Sequence, residues 1–556
     1  MRFSILNCWK WIVLWISPPL LSSLFLYSTE KEVKCVFVVL LMIIYWLTEA
    51  VPLAITALLP MFLYPLLEIM STKQVASTYI NDTLMVFLGS IISTVAIEQS
   101  NLHQRIALRI LMLFGTSPIW LLLGFMCTTS FISMWISDTA TTALMVPIIE
   151  AVILNIMEQK KSTLSTITHN NNNNNDLTLN GNLDPKEVEA IENRRKNSFK
   201  MERDSNKDEK AFKLMRRVLF LSVTFSSLIG GTGTLTGTTT NLIFKGMVTN
   251  LEGDNITFAN WMLFAIPGLI ICVLLVWVFM TLVFVRKFPK SDNEKVGSFI
   301  RSKYNSLGPV SFHEIAVLIM FSFLLTLWFF RDPDFFKGWA PALHPKESNY
   351  INDASAAMFI VCMMFVIPAN PRDLQNSKPL MTWKAVNEKV PWGVFLLMGG
   401  AFSMSSGIKE SGLSKVIGRH LNEHLSGLSP LVLQIVVCTL SMFFTEVSSN
   451  AATSTIFLPI VKHLAESLHI SPLRFMLPVT VVSSFAFMFP AGSPSNAIVY
   501  EAANLKVPEM AIPGIFCKFI CLSVVIGMSN SWAYVVYNMH DLEPNAFNTT
   551  LQTTVL

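Results

Sequence analysis

Charged residues are scarce in this sequence. Only 14% of its 556 residues are Asp, Glu, Lys or Arg, whereas 52% are hydrophobic. The mean hydropathy is +0.51. A soluble globular protein of this length needs more polar surface, so the composition excludes that class. It predicts a polytopic membrane protein.

Cysteine is also sparse, and its eight residues occur singly, in or beside apolar stretches. This placement argues against a disulfide framework and against a zinc cluster. The apolar stretches also contain no His/Glu/Asp metal cluster and no nucleophile paired with a base. We therefore expect neither enzymatic activity nor a nucleic-acid partner.

Apolar runs of membrane-spanning length recur along the chain, and we predict about eleven spans. Two shorter pairs of apolar runs, at 118–157 and 428–466, are expected to form re-entrant hairpins. The first run keeps three tryptophans and lacks a small-residue cleavage site, so we interpret it as a retained helix rather than a signal peptide. The predicted spans are 11–27, 36–49, 53–68, 84–97, 214–229, 259–285, 312–330, 351–368, 391–407, 474–490 and 512–537.

Basic residues crowd into 159–217 and 286–303, which predicts that both segments are cytoplasmic. With an odd number of spans, the N-terminus is then cytoplasmic and the C-terminus extracellular. The hydrophilic segment 158–213 contains a run of asparagines and is predicted to be a disordered loop. Three glycosylation sequons fall on the predicted outer side, at Asn81, Asn255 and Asn548.

One polar tract occurs twice within apolar surroundings. Residues 137–148 return without a gap as residues 449–460, at an offset of 312. Small hydroxyl and amide side chains are poor choices for a lipid-facing surface. Two copies therefore predict a paired site for an ion or a polar solute.

The duplication continues downstream, where 239–243 resembles 494–498 at an offset of 255. The asparagine-rich insert in the first copy accounts for the change of offset. Counting spans between the copies, the first hairpin enters from the cytoplasm and the second from outside. We therefore predict two inverted repeats, which place a binding site near the membrane midplane and are typical of secondary transporters.

Each polar tract has a partner segment rich in glycine or proline, at 230–238 and at 490–495. Such residues would unwind a spanning helix and free its carbonyls, which is tolerable where they line a cavity. Hydroxyl, amide and carbonyl oxygens suit a sodium ion, and broken helix N-termini present N–H groups to an anion. Small residues in membrane helices usually serve close packing, but four such segments in two matched pairs favour a site.

Several motifs resemble those of the divalent anion/sodium symporters, a family of sodium-coupled dicarboxylate, citrate and sulfate cotransporters. The resemblance covers nearly the whole chain. It implies an elevator-type transporter of the plasma membrane, in contact with lipid and assembled as a homodimer. The motifs are Trp46–Leu53, Asn101–Leu108, Met134–Ser137, Thr445–Asn450 and Ser495–Val499.

The resemblance also implies that the two hairpin tips contact both sodium, as the coupling ion, and a carboxylate of a small anionic metabolite. The substrate-binding residues would be Ser137, Asp138, Thr139, Ser449, Asn450 and Ala451. One sodium site would use Ser137, Asp138, Thr139 and Gly233, and the other Ser449, Asn450 and Ser493.

This resemblance divides the chain into scaffold, transport and connecting segments. The expected segments are 1–117 (first scaffold), 118–157 (cytoplasmic-side hairpin), 158–213 (disordered loop), 214–285 (broken helix and following span), 286–311 (cytoplasmic linker), 312–427 (second scaffold), 428–466 (outer-side hairpin), 467–538 (broken helix and last span) and 539–556 (extracellular tail).

The tract 140–147 looks more like the carboxylate branch of the family than the sulfate branch. We therefore expect sodium-coupled symport of a substrate such as succinate or citrate. Three alternatives stay open: sodium-independent or proton-linked dicarboxylate transport or exchange, sulfate symport, and a sensor that does not transport.

Asp138 stands where the family has an asparagine. If it is ionised, it would hold a cation more strongly but repel a substrate carboxylate by on the order of 1–4 kcal/mol. If it is protonated, it would keep the donor that asparagine offers. We hypothesise that Asp138 couples a proton or weakens sodium dependence; the alternatives are that it only retunes affinity or impairs transport. Ala451 replaces a threonine of the family and lacks its hydroxyl.

Four other polar residues are expected to have no transport chemistry. Glu49 and Glu446 are expected at helix-to-hairpin junctions within apolar sequence, where structural hydrogen bonding is favoured over ion ligation. His103 and Arg105 are predicted to lie on an amphipathic interfacial helix.

Overall fold

A computed structural model of the chain describes residues 5–114, 117–172, 209–248, 256–285, 293–331, 338–343, 351–413, 416, 429–468 and 470–539. In these ranges the regular structure is helical, apart from a single β-bridge between Pro368 and Pro379. The predicted all-α class is therefore confirmed.

Helices make up most of the described ranges. The longer ones are α1 (Ile5–Ser22), α2 (Lys31–Thr48), α3 (Leu59–Leu66), α4 (Asp82–Gln99), α5 (Leu102–Leu111), α6 (Pro118–Ser133), α7 (Asp138–Asn172), α8 (Glu209–Gly231), α9 (Thr239–Val248), α10 (Phe258–Val283), α11 (Asn293–Asn305), α12 (Phe312–Phe329), α13 (Asp353–Val366), α14 (Trp392–Glu410), α15 (Pro430–Phe444), α16 (Asn450–Ser467), α17 (Leu473–Val482), α18 (Pro494–Ala502) and α19 (Val507–Ser529). Shorter helices cover Leu24–Tyr27, Leu53–Thr56, Thr72–Tyr79, Trp339–Leu343, Trp383–Lys389 and Trp532–Tyr537, and a 3-10 turn covers Pro490–Gly492.

Within the described ranges, seven helical stretches are long and apolar enough to cross a membrane. They are Trp9–Tyr27, Thr72–Gln99, Asp138–Met157, Glu209–Gly231, Phe258–Val283, Phe312–Phe329 and Val507–Tyr537. Helical residues also occupy every one of the eleven runs predicted from the sequence, although some of these helices are short. A protein with several membrane helices is thus confirmed, and the exact number of crossings stays a prediction.

Side-chain caps fix where several of these helices begin. Thr257 and Asn260 form a reciprocal capping box at the start of α10, and Ser311 and Glu314 form another at α12. Asn81 caps α4 by accepting a hydrogen bond from the Leu84 N–H. Each cap satisfies N–H groups that have no partner inside the helix, which matters most near an apolar phase.

Helix continues into the segment that was predicted to be disordered. α7 runs for 35 residues, to Asn172, and α8 begins at Glu209. Helix therefore occupies both ends of the segment 158–213, for which the composition predicts a disordered loop. Residues 158–172 contain neither glycine nor proline, so a helix already nucleated in the membrane can propagate through them. The intervening residues 173–208 lie outside the described ranges.

Each copy of the duplicated tract joins two helices that pack on each other, and their re-entrant placement in the membrane stays a prediction. α6 and α7 join through residues 134–137, and α15 and α16 join through residues 445–449. Each hairpin starts with proline at the first helical position, where its missing N–H costs nothing.

The two repeats interlock through these hairpins. α7, the second arm of the first hairpin, packs on α18 of the second repeat. Conversely, α16 of the second hairpin packs on α9 of the first repeat. This exchange brings both hairpin tips and both helix breaks into one region of the molecule.

Buried aromatic rings surround that region. Phe487 lies between Phe225 and Phe485, with ring centres 5.1 and 5.4 Å away. Phe244 and Trp261 pack together at 5.4 Å on the side of α9 and α10. Because all five side chains are almost fully buried, the breaks sit in a rigid apolar frame.

We predict that Gly230, at the end of α8, cannot carry a side chain. A Cβ atom there would lie 2.5 Å from the Ser130 carbonyl oxygen and 2.7 Å from the Ser130 Cα, and backbone cannot move aside as a flexible side chain can. Gly230→Ala should destabilise the fold by about 1–3 kcal/mol, measured as a lower melting temperature of the purified protein.

Gly527→Ala is the matched control, because a Cβ at Gly527 meets nothing within 4 Å. It should melt at or slightly above the wild-type temperature. Equal melting temperatures for the two variants would show that the close approach of α8 to α6 is not needed.

Candidate functional site

The tip of the first hairpin is built around the start of α7. The Ser137 side chain accepts a hydrogen bond from the Ala140 N–H at 3.3 Å, so it caps the helix. Asp138 is the first residue of α7, and Thr139 follows it; both are half-buried, whereas Ser137 is exposed. The tip therefore offers accessible oxygen atoms beside a helix N-terminus, where the backbone carries partial positive charge.

Asp138 connects this tip to the opposite repeat. Its Oδ2 accepts a hydrogen bond from Ser493 Oγ at 3.3 Å, and its Oδ1 accepts one from Thr139 Oγ1 at 3.4 Å. Ser493 in turn caps α18, since its Oγ accepts the Ser495 N–H. The two sets of residues that are predicted to bind sodium are thus in contact, because Ser493 of one set donates a hydrogen bond to Asp138 of the other.

The second tip repeats this plan with different polar partners. Ser449 caps α16 by accepting the Ala452 N–H at 3.2 Å. Asn450 Oδ1 accepts a hydrogen bond from Thr445 Oγ1 at 2.8 Å, and its Nδ2 donates to the Ser484 carbonyl oxygen at 3.4 Å. Ala451 is buried and presents only a methyl group.

Side-chain N–H groups stabilise the first break, between α8 and α9, by donating hydrogen bonds to its backbone carbonyls. Asn241 Nδ2 points at three backbone carbonyls, those of Gly231 (3.2 Å), Thr232 (3.5 Å) and Thr234 (2.7 Å). Trp261 Nε1 also donates to the Thr232 carbonyl oxygen, at 3.1 Å. These contacts satisfy carbonyls that the unwound backbone leaves without helical partners.

Gly233 and its neighbour Thr234 press this break against the first hairpin. A Cβ on Gly233 would lie 3.0 Å from Met134 Cγ, and Thr234 Oγ1 donates to the Met134 carbonyl oxygen at 2.5 Å. The structure therefore brings the predicted site residue Gly233 next to the turn that carries Ser137.

The second break, between α17 and α18, uses an equivalent asparagine. Asn496 Nδ2 donates to the carbonyl oxygens of Ala486 (2.7 Å) and Phe489 (2.9 Å). Its Oδ1 accepts a hydrogen bond from Thr224 of α8 at 2.9 Å. Asn241 and Asn496 are matched at the offset of 255, so the repeat in the sequence already pointed to both, although not to this role.

A carboxylate also holds the second break. Glu446 Oε1 accepts the N–H groups of Phe487 (2.8 Å) and Met488 (3.0 Å), and Oε2 accepts that of Phe489 (2.9 Å). Lys518 Nζ lies 2.7 Å from Glu446 Oε1. The expected structural hydrogen bonding of Glu446 is confirmed, and its cationic partner was missed because Lys518 is 72 positions away in the sequence.

Glu49 does not share this environment. It is exposed and ends α2 with a left-handed backbone, at φ 45°. The expectation that it forms structural hydrogen bonds within apolar surroundings is not supported by this position.

Sequence reasoning also missed two buried hydroxyl groups. Thr141 and Thr453 lie in the first turns of α7 and α16, and they are matched at the offset of 312. Both are fully buried, and neither Oγ1 has a hydrogen-bond partner among the described residues. Unsatisfied buried hydroxyls are costly, so one at each tip fits a region that binds ions or polar solutes.

The charge balance of the two tips differs. The charge of Glu446 is matched by Lys518, whereas the described side-chain partners of Asp138 are the hydroxyls of Ser493 and Thr139. Among the described residues, the side chains that contact Asp138 are therefore hydroxyls and not basic groups. The side chains at both tips offer oxygen atoms, which are the ligands that sodium prefers. The described residues contain no cluster of three or more His, Cys, Asp or Glu that could hold a metal ion.

The remaining predicted residues lie away from the tips. Arg105 Nε donates to Glu314 Oε1 at 2.9 Å, which ties α5 to α12, and burial lowers the pKa of His103 on the same helix. Asn81 lines a polar cavity of about 240 Å³, and its Nδ2 donates to the Thr78 carbonyl oxygen. Asn255 and Asn548 lie outside the described residues, so all three glycosylation sites stay predictions.

The chain is similar to known proteins over most of its length. The family model described as the sodium:sulfate symporter transmembrane region matches residues 17–539. The Na(+)/citrate cotransporter of Rattus norvegicus is 36% identical, covering 95% of this chain and 96% of its own. The sodium-dependent low-affinity dicarboxylate transporter 1 of Caenorhabditis elegans is also 36% identical, over 95% and 91% of the two chains.

A third relative is the Na(+)/dicarboxylate cotransporter 3 of Homo sapiens, 36% identical over 95% of this chain and 92% of its own. Among solved structures, the YdaH transporter of Alcanivorax borkumensis matches with a TM-score of 0.48 and 12% identity, covering 82% of this chain and 85% of that chain. This structural likeness is too distant to support an argument.

We predict that Asn241→Leu loosens the first break. Leucine has a similar volume but no N–H group, so three carbonyls lose their shared donor, at a cost of about 1–3 kcal/mol. The melting temperature of the purified protein should fall, and so should the stabilisation that added sodium provides. Asn305→Leu, at an exposed position at the end of α11, should change neither. An unaltered sodium effect in Asn241→Leu would contradict this role of the asparagine.

Proposed function

We propose that this chain, which belongs to the sodium:sulfate symporter family, is a secondary active transporter that couples sodium to the movement of di- and tricarboxylates. The resemblance found in the motifs is thus confirmed at the level of the family. Members of this family are transporters, so the chain is not an enzyme.

The relatives favour carboxylates over sulfate. The three relatives described above, each about as long as this chain, are named for citrate or dicarboxylate. The polar tract 140–147, which resembles the carboxylate branch, points the same way. We therefore take succinate or citrate as the cargo; sulfate symport is the second candidate, because the family description names it.

The observation that carries this proposal is the meeting of two hairpin tips and two helix breaks in one region. The tips supply hydroxyl, amide and carboxylate oxygens, and two helix N-termini start there. Sodium bound at such oxygens offsets the negative charge of a carboxylate substrate, so each ligand raises the affinity for the other. Ser137, Asp138, Thr139 and Gly233 would serve one sodium, and Ser449, Asn450 and Ser493 the other, with Ala451 facing the substrate.

We further propose that the hairpins and broken helices move as an elevator against the other helices. Two contacts between these parts support a sliding boundary. Lys245 of α9 pairs with Asp353 of α13, which Arg331 also contacts at 3.0 Å. Gly246 leaves room for the ring of Phe402, which a Cβ there would meet at 2.1 Å. A translation of α9 must exchange both contacts for others.

The remaining expectations belong to the same proposal. We propose about eleven spans and two inverted repeats, with the N-terminus in the cytoplasm and the C-terminus outside. The protein would lie in the plasma membrane as a homodimer, surrounded by lipid. Asn81, Asn255 and Asn548 are the proposed glycosylation sites, and of these Asn81 caps α4 and lines a cavity.

We predict that cells expressing this protein take up radiolabelled succinate or citrate when sodium is present outside. Replacing sodium by choline should abolish most of that uptake, because the substrate loses its charge compensation. Unlabelled sulfate should compete poorly. Uptake that persists without sodium and needs substrate on the other side would identify an exchanger, and binding without flux would identify a sensor.

Asp138 is proposed to add a second route for charge compensation, a proton. An asparagine at this position is neutral. An ionised aspartate carries a negative charge, so it must bind a cation or a proton before a dicarboxylate can bind beside it. This reasoning depends on the position of Asp138 at the tip and on its hydroxyl partners.

We predict that wild-type uptake at low sodium rises, relative to Asp138→Asn, as the external pH is lowered. Asp138→Asn should lose this pH dependence, and it should half-saturate at about fivefold lower succinate at neutral pH, the equivalent of about 1 kcal/mol of removed repulsion. Both proteins meet the same ionic forms of succinate, so their difference isolates Asp138. Identical pH and sodium profiles would dispose of the idea.

A further inference from the structure

Lys518 carries its ammonium group into the interior of the protein. Its side chain has no exposed surface, and that of Glu446 is 2% exposed. The nitrogen also donates a hydrogen bond to the Met442 carbonyl oxygen and lies 5.4 Å from the centre of the Phe443 ring. Burying two ions costs free energy that their attraction barely repays, so stability alone does not account for this pair.

The carboxylate partner is fully engaged on its other side. Together, the two oxygens of Glu446 accept the N–H groups of Phe487, Met488 and Phe489. These three residues lie in the unwound part of the second break. Their N–H groups are therefore committed to Glu446 and are not free for a substrate anion.

The same carboxylate lies directly behind the second sodium group. It precedes the cap Ser449 by three residues, and a Cβ on Gly492 would lie 3.2 Å from Glu446 Oε2. Gly492 is followed by Ser493, which contacts Asp138. Glu446 thus joins the second hairpin tip to the loop that aims Ser493.

The first repeat has no equivalent ion pair. At the offsets of the duplication, Met134 stands at the position of Glu446 and Leu263 at the position of Lys518. The first break is held by Asn241 and Trp261 instead. A break can therefore be built without buried ions, which indicates a specific role for the pair in the second repeat.

We propose that Lys518 is a positioning residue for the second sodium site. By neutralising Glu446, it keeps that carboxylate on residues 487–489 and so keeps Ser493 in place between the two tips. Lys518 itself touches neither sodium nor substrate. Without it, Glu446 is a buried anion close to Ser449, which either draws a cation away from the site or releases the loop. The inference rests on the proposed function, because sodium-coupled uptake is its readout.

Lys518→Met tests the proposal. Uptake of succinate is measured over a range of sodium concentrations and divided by the amount of protein at the cell surface. The half-maximal sodium concentration should rise by about fivefold or more, while the half-saturating succinate concentration at saturating sodium stays within about twofold. A merely structural role would lower surface amount and maximal rate and leave the half-maximal sodium concentration unchanged.

Two further variants serve as controls. Lys518→Arg keeps the charge and should restore most of the sodium affinity. Lys462→Met removes another buried lysine, which lies on α16 and donates to the Met247 carbonyl oxygen at 3.3 Å. It should reduce the surface amount at most, with a wild-type half-maximal sodium concentration.

If Lys518→Met does not reach the surface, the double variant Glu446→Gln/Lys518→Met decides the matter. It buries no unpaired charge, and its glutamine offers one acceptor oxygen to 487–489, so it should reach the surface with a raised half-maximal sodium concentration. A half-maximal sodium concentration equal to that of the wild type, in Lys518→Met or in the double variant, overturns the inference. Absence of sodium-dependent uptake in the wild type would overturn the proposed function instead; the sodium-dependent rise in melting temperature of the same purified variants then tests Lys518.

Discussion

Unwound backbone inside a membrane must find all its hydrogen-bond partners within the protein, and this requirement organises the structure. Each repeat breaks a helix close to the hairpin tips. Each break frees carbonyl and N–H groups that lipid cannot satisfy. Asn241 and Asn496 answer this need in the same way, because both reach back into the break that precedes them and bind two or three of its carbonyls. The buried aromatic rings around the breaks exclude water that would compete for these hydrogen bonds.

The two repeats solve the rest of the problem with opposite electrostatics. In the second repeat a carboxylate, Glu446, serves the backbone N–H groups and is neutralised internally by Lys518. In the first repeat the carboxylate is Asp138, which stands at the tip itself and has hydroxyl partners. One carboxylate is therefore paired with a lysine inside the protein, whereas the other has hydroxyl partners. The two repeats match in sequence at the tips and differ in charge, and the proposed coupling to cations depends on this difference.

The fold was largely predictable, because it depends on patterns that are local in the sequence. Apolar runs located the helices, and the gapless repeat of 137–148 located both hairpin tips. Three features escaped for physical reasons. Lys518 and Glu446 are far apart in the chain, so their pairing is a property of packing alone. The unpaired hydroxyls of Thr141 and Thr453 look like ordinary helix residues until their surroundings are known. The helix beyond residue 157 was hidden by a polar composition that suits a loop and a helix end equally well.

The exchange of hairpin arms between the repeats has a consequence for how the chain can be assembled. α7 packs on α18, which is synthesised more than 300 residues later. In the first half of the chain α7 can already pack on α6, but its face against α18 has to stay uncovered until the second half is translated. Such contacts between distant segments slow folding and prolong the exposure of polar groups to lipid. Because α16 also packs on α9, each half of the duplication completes the packing of the other.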